Sequence, residues 1–353
     1  MIATMKIGIS CNRYGAGGGL ERYVRDLAAG FALLDDVRSI VFAPRVDESF
    51  VAEGVEAVEL PARHWPRPLR ALVLSRQIAR RRDQVDVLIA CNRVRGADIA
   101  VCGGTHLGYL EGAGRPARFK DRLEIRREQA HYADAKLIVA HSLFMRHELE
   151  RLYGIASDRI VTLYPPVDTQ RFSAVDDARR AALRERFDFG DRPVFLFAST
   201  GHLRKGLDPV VEAIERRQDD ALLVVAGRPT NRRSRRLREL GYRNDIEDLY
   251  RAADFTVLAP DYEPFGLVAI ESVLCGTPVV FAEGAGSLEV IEADAVRRFD
   301  RAVPASLEAA LDAAISAWRA GASRLAAPRA CLRYVPDVDT HVQAMRRLCE
   351  QVA

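Results

Sequence analysis

The sequence predicts an α/β protein built from two doubly wound parallel sheets that face one another across a cleft. Three observations carry that prediction. At about 100–200 residues per domain, a chain of 353 residues corresponds to two domains. Apolar residues make up 48% of it and charged residues 29%, the balance of a globular protein with two sizeable cores. Short apolar strands alternate with amphipathic helical stretches, and a strand, glycine turn and helix occur in that order twice.

The first half opens on the strand KIGIS at residues 6–10, followed by the turn RYGAGGG and a helix over residues 20–34. Its apolar positions, Leu20, Tyr23, Val24, Leu27, Ala28 and Phe31, recur at helical spacing. Strands follow at 39–44, 57–60, 85–91 and 97–103, with a helix over about 68–82. A long helix at 119–133, a strand at 136–142, a helix at 143–153 and a strand at 160–166 complete this half, which two prolines close.

The second half opens on the buried strand PVFLFAST (193–200), a turn at 201–206 and a helix at about 207–216. Strands at 221–227 and 255–260 flank a weaker one, RLREL, and a helix at 244–253. The helix 266–275 is stopped by Gly276, with Pro278 two residues on. In such folds ligands bind at the carboxyl ends of the strands.

Charge and cysteine content narrow the class. The 52 basic residues nearly balance the 49 acidic ones, so a cationic nucleic-acid coat is excluded as the global design. Forty-eight of the 52 are arginine, and Lys205 is one of only four lysines. The six cysteines form no C-x-x-C and lie mostly in apolar stretches, reading as buried thiols of a reducing compartment. No signal peptide and no run of 18 apolar residues is present, so the expected location is the cytosol or a membrane surface facing it.

The stretch FTVLAPDYEPFGLVAIESVLCGTPVVFAEGAGSLEVI carries the most chemistry. Glu263 lies in the loop after a strand and Glu271 on the helix which that loop opens. Phe265, Gly266 and Leu267 present backbone N–H groups at the helix N-terminus, where donors and dipole favour an anion such as phosphate. Ionised carboxylates accept hydrogen bonds from sugar hydroxyls, so the set suits a nucleotide diphosphate sugar. Taken alone, the spacing more often marks two glutamates that cap and salt-bridge ordinary helices.

E-P-F-G-L-V-x-x-E-S-x-x-x-G-x-P-V-V resembles the E-x7-E signature of retaining glycosyltransferases of the GT-B fold, family 4. The resemblance spans nearly the whole chain. GGGLER, with Gly17, Gly18 and Gly19, is similar to the family's N-terminal glycine loop. YPPVD with Phe172 is similar to its interdomain segment, GHLRKG to its phosphate-binding turn, and LYRAAD to the helix before the motif strand. Within the family, GGLER, NRVRGAD, RKGLD and RNDIEDLYRAAD are most like the lipopolysaccharide core glucosyltransferases of the WaaG type. Two departures stand out: two prolines replace the asparagine pattern of the interdomain segment, and only a basic stretch at 230–240 remains where the family has a helix and a strand. The arginines of that stretch, Arg232, Arg233, Arg235 and Arg236, read as a solvated patch.

The resemblance implies an acceptor-binding domain at 1–166, joined by a C-terminal helix at 340–353, and a nucleotide-sugar-binding domain at 167–339. It implies that Arg204 and Lys205 neutralise the diphosphate, that Glu271 holds the ribose and that Glu263 holds the transferred sugar. Gly17–Gly19 would admit the donor close to the backbone. Asp98 or His106 would orient or deprotonate the acceptor hydroxyl. Neither a metal nor a cofactor is expected, and the donor is expected to be UDP-glucose. The acceptor implied is a lipopolysaccharide core or other lipid-linked glycan. Mixed basic and apolar residues at 106–127 and 64–82 point to an anionic membrane surface. The competing readings are transfer from GDP-mannose or UDP-galactose, a sugar-nucleotide sensor, and an NAD dehydrogenase using Asp35 or Asp36 on the ribose.

Overall fold

The computed structural model describes residues 4–353 except Arg63 and Asn231, together with all side chains but those of Arg67 and Pro68. It divides into two compact units, one running to Pro166 and resuming over Pro336–Ala353, the other Val167–Val335.

The first unit contains strands β1 (Met5–Ser10), β2 (Val37–Ala43), β3 (Val55–Glu59), β4 (Val87–Ala90), β5 (Ile99–Cys102), β6 (Leu137–Ala140) and β7 (Ile160–Thr162). Its helices are α1 (Gly19–Ala32), α2 (Arg67–Ala79), α3 (His106–Gly112), α4 (Phe119–Asp134) and α5 (Leu143–Tyr153). The second unit carries α6 (Asp177–Arg186), α7 (His202–Lys205), α8 (Leu207–Glu215), α9 (Ile246–Ala252), α10 (Leu267–Leu274) and α11 (Pro304–Arg319). Its strands are β8 (Val194–Ser199), β9 (Leu222–Gly227), β10 (Leu237–Gly241), β11 (Phe255–Leu258), β12 (Val279–Ala282) and β13 (Val296–Phe299). The chain ends on α12 (Val338–Val352), which returns to the first unit.

Both sheets are wholly parallel, ordered β3-β2-β1-β4-β5-β6-β7 and β10-β9-β8-β11-β12-β13. Central strands are apolar on both faces because helices cover both, as VLIA and FTVL show. Strand order reverses between β1 and β4 in one sheet and between β8 and β11 in the other. At such switch points neighbouring loops diverge to opposite faces and leave a crevice at the carboxyl ends.

Helices α1 and α12 close one face of the first sheet. Val342, Met345, Leu348, Cys349 and Val352 of α12 enter the same core as Val24, Leu27 and Phe31. A Cβ on Gly30 would overlap Val342, so the two helices approach at glycine distance. Among the described residues, no helix joins β9 to the edge strand β10, and Asn231 lies outside them. Arg232 of this connection pairs with Asp208 and Arg236 with the Asp219 carbonyl, so part of the expected solvated patch is internally engaged. All six cysteines are free and buried.

Candidate active site

In the second unit the switch point gathers the residues singled out from sequence. Strand β8 ends at Ser199, and the chain turns through α7 into Gly206, whose φ of 72° is left-handed. Only glycine fits here: an added Cβ would overlap the Ala259 carbonyl, which follows β11. The Lys205 carbonyl accepts from the Ala259 N–H at 3.0 Å, locking the turn against the end of β11.

That lock places Lys205 in direct ionic contact with Glu263, both side chains being largely buried. Arg204 is more exposed and stands 4.0 Å from the same Glu263 oxygen. Burial pushes the Lys205 ammonium down to about 7; Arg204 adds repulsion and Glu271 opposes it. Burial thus disfavours the lysine's charged form, and Glu263 is the anion that faces it.

The loop that follows β11 is held by two backbone hydrogen bonds, Gly286 N–H to the Glu263 carbonyl at 3.0 Å and Ser287 N–H to the Phe265 carbonyl at 2.8 Å. Gly266, at φ 94°, redirects the chain into α10, and its missing Cβ leaves room for Glu263 and Ser287. The Ala269 N–H donates to the Gly266 carbonyl at 3.0 Å, and the two N–H groups before it, those of Leu267 and Val268, precede the helix's own hydrogen-bond ladder, as at any helix start. Glu271 is buried one turn further on and accepts from the Tyr250 hydroxyl at 3.0 Å. Neither Tyr250 nor Ser287 is marked as a site residue by the sequence motifs. Tyr250 sits inside LYRAAD, a segment recognised as a helix end, and Ser287, whose buried Oγ has no hydrogen-bond partner among the described residues, lies at the end of the motif stretch outside its E-x7-E core.

In the first unit Gly17, Gly18 and Gly19 are exposed at the start of α1. None has positive φ. Glu21 folds back to accept from the Gly18 N–H at 2.9 Å, and a Cβ at Gly17 would meet that glutamate. His106 is the first residue of α3, at the carboxyl end of β5, rather than a loop residue. Its Nε2 lies 2.9 Å from Asp121 and its N–H donates to Glu128 at 2.8 Å. Arg115, then the Arg118 N–H and His106, hold the Asp121 carboxyl well below the usual carboxylate range. The imidazole thus has a permanently ionised partner on one nitrogen.

Asp98 requires a correction. It immediately precedes β5 and so lies at the amino end of the sheet, opposite the crevice. Its carboxylate accepts from the Leu88 N–H at 2.8 Å and from Arg82 at 2.5 Å, with Lys136 at 3.3 Å. These bonds tie β4, β5 and their neighbours together and leave it no part in acceptor chemistry. Asp35 and Asp36 are corrected likewise: they precede β2, and Asp36 pairs with Arg346 of α12. A ribose-binding acid would sit at the other end of that strand. Among the described residues, no three His, Cys, Asp or Glu side chains form a metal-ligand group.

Two parallel-sheet units with an E-x7-E loop and an R-K-G turn define the class: a glycosyltransferase of the GT-B fold. The chain belongs to the family 4 glycosyltransferases, matching the Glycosyltransferase Family 4 model over residues 17–171 and the Glycosyl transferases group 1 model over 179–319. It is 49% identical to a probable transglycosylase of Burkholderia thailandensis, over 99% of this chain and 98% of that protein. A D-inositol 3-phosphate glycosyltransferase of Xylanimonas cellulosilytica is 36% identical over 48% of this chain and 45% of its own length. The fold matches WaaG, a glycosyltransferase involved in lipopolysaccharide biosynthesis, at TM-score 0.79 and 17% identity over 98% of this chain and 99% of that one. Anabaena HepE in complex with UDP and glucose matches at TM-score 0.76 and 17% identity, over 98% and 100% of the two chains. Family membership removes the dehydrogenase reading.

Proposed function

We propose that this glycosyltransferase transfers glucose from UDP-glucose, with retention and without a metal, to a lipopolysaccharide core or other lipid-linked glycan. The observation that carries the donor half is the buried contact between Lys205 and Glu263 beside Arg204, at the carboxyl ends of β8 and β11. As the glycosidic bond breaks, negative charge accumulates on the departing diphosphate, and Arg204 and Lys205 supply fixed positive charge for it. Lys205 exchanges part of its contact with Glu263 for the phosphate, which frees the glutamate oxygens for sugar hydroxyls. Glu271 holds the ribose in the orientation that Tyr250 gives it. Glucose as the sugar is supported by the HepE complex, whose fold this chain shares. His106 is the acceptor-side candidate that remains.

The membrane half of the proposal rests on exposed apolar side chains, Trp65, Leu69 and Leu72 at α2 and Phe119 and Leu123 on α4. Exposed Arg118, Lys120, Arg122 and Arg126 accompany them on and before α4. Among the described residues, no helix is long and apolar enough to cross a membrane. Binding to anionic vesicles at low salt, lost at high salt, is the expected result; no binding at low salt removes this part.

The decisive experiment is a thermal-shift panel of UDP-, GDP- and ADP-sugars with and without EDTA. UDP-glucose at 100 times its Kd should stabilise by about 2.7 kcal/mol in either condition. Stabilisation by GDP-mannose or UDP-galactose instead would reassign the donor. Binding without turnover or hydrolysis would leave a sensor.

A further inference from the structure

The first unit has its own crevice at its switch point, a cavity of about 430 Å³. Five arginines line it: Arg13 after β1, Arg45 after β2, Arg93 after β4, Arg70 on α2 and Arg127 on α4. They share the wall with one carboxylate, Glu124. No pattern along the chain groups them, because they come from five separate segments.

The arginines fall into different electrostatic situations. Arg93 is committed to the buried Glu128 through two hydrogen bonds of 2.9 and 2.7 Å, and Arg127 bonds Glu124 at 2.5 Å. Arg70 donates its Nε to the neutral Trp65 carbonyl. Arg13 has no carboxylate partner among the described residues, and its Nε is buried without a hydrogen bond. Arg45 is exposed and likewise forms no ion pair with any described residue. A buried guanidinium nitrogen lacking an acceptor is costly unless something else fills that role. Guanidinium forks match phosphate oxygens two at a time, which lysine or an amide does not.

We infer that this cavity binds a phosphate group carried by the acceptor, so that the glycan accepting the sugar is a phosphorylated one. The inference rests on the transferase reading above and names the chemical class of its acceptor. Arg13 and Arg45 grip the phosphate; the same chemistry is offered by a soluble sugar phosphate and by a phospholipid head group.

Isothermal titration of the full chain, with saturating UDP to occupy the second unit, tests it with two probes: glucose 6-phosphate, and phosphatidylglycerol vesicles. Glucose and phosphatidylcholine vesicles are the uncharged controls. At least one phosphate-bearing probe should bind while its control does not, with affinity falling as salt rises. Arg13→Gln and Arg45→Gln should each weaken binding about tenfold, the worth of a charge-assisted hydrogen bond. Arg45 is exposed, so its replacement leaves the core intact. Arginine-dependent binding of glucose 6-phosphate assigns a soluble acceptor, and of the vesicles alone a lipid one; both uphold the inference. It is overturned if neither probe binds, or if both variants bind as the unaltered chain does. UDP-glucose binding, measured separately, reports on the donor reading, so the two can fail independently.

Discussion

The Tyr250 hydroxyl donates to Glu271 Oε2 at 3.0 Å, joining α9 to α10 beneath the donor loop. If Glu271 holds the two ribose hydroxyls, as proposed, it must present its oxygens in a fixed plane, and this bond fixes one of them. Tyr250→Phe keeps the buried ring and removes only the donor. Donor KM should rise roughly five- to tenfold, as expected for one hydrogen bond, with kcat changing less. A lowered melting temperature at unchanged KM would assign Tyr250 to packing alone.

Lys205 gives the reaction a pH dependence of defined sign. Its pKa is lowered to about 7 by burial, with Arg204 adding to the effect. The free protein therefore loses the ammonium as pH rises through that value, and kcat/KM for the donor should fall on the alkaline side. Lys205→Arg, charged at every accessible pH, should flatten that limb. Lys205→Met should lower kcat by about 100-fold or more. An alkaline limb unchanged in Lys205→Arg would show that another group titrates.

Gly206→Ala should unfold the R-K-G turn. Its φ of 72° and the overlap with the Ala259 carbonyl leave no room for a methyl group. The cost should be at least about 2 kcal/mol, with donor binding lost alongside it. Denaturant midpoints and UDP titration check both effects.

Two buried histidines make the first unit acid-sensitive. Burial lowers the pKa of His341 on α12 to about 4, although its hydrogen bond to the Tyr164 carbonyl opposes this, and that of His141 to about 3. Both fold neutral, whereas unfolded histidine protonates near 6.5. Their contribution is intact above about pH 6.5 and is lost as pH falls toward 4. At pH 5 each should cost about 2 kcal/mol. Denaturation at pH 7 and pH 5 measures the loss, and His341→Gln should remove its share of the difference.

Asp98→Asn separates stability from catalysis. Removing a charge that serves Leu88, Arg82 and Lys136 should cost about 3 kcal/mol. The folded fraction should keep its kcat. A kcat loss of 100-fold or more at full folding would restore the catalytic role that the structure withdraws.

The two parallel-sheet domains and the E-x7-E loop could be read along the chain, because both are written in local signals. Continuous apolar strands and helical spacing depend on near neighbours, and so do the left-handed backbone angles of Gly206 and Gly266, although the contacts that crowd those glycines come from distant segments. Glu263, Lys205 and Glu271 were legible for the same reason: each sits in a short motif. The predicted strand at 97–103 already has Asp98 near its amino end; what the packed fold adds is that its carboxylate is spent on the Leu88 N–H, Arg82 and Lys136. The tertiary structure alone decided that Tyr250 orients Glu271 and that five scattered arginines meet in one cavity. Those relationships arise where parallel strands bring distant loops to a common edge, and no window along the chain contains them.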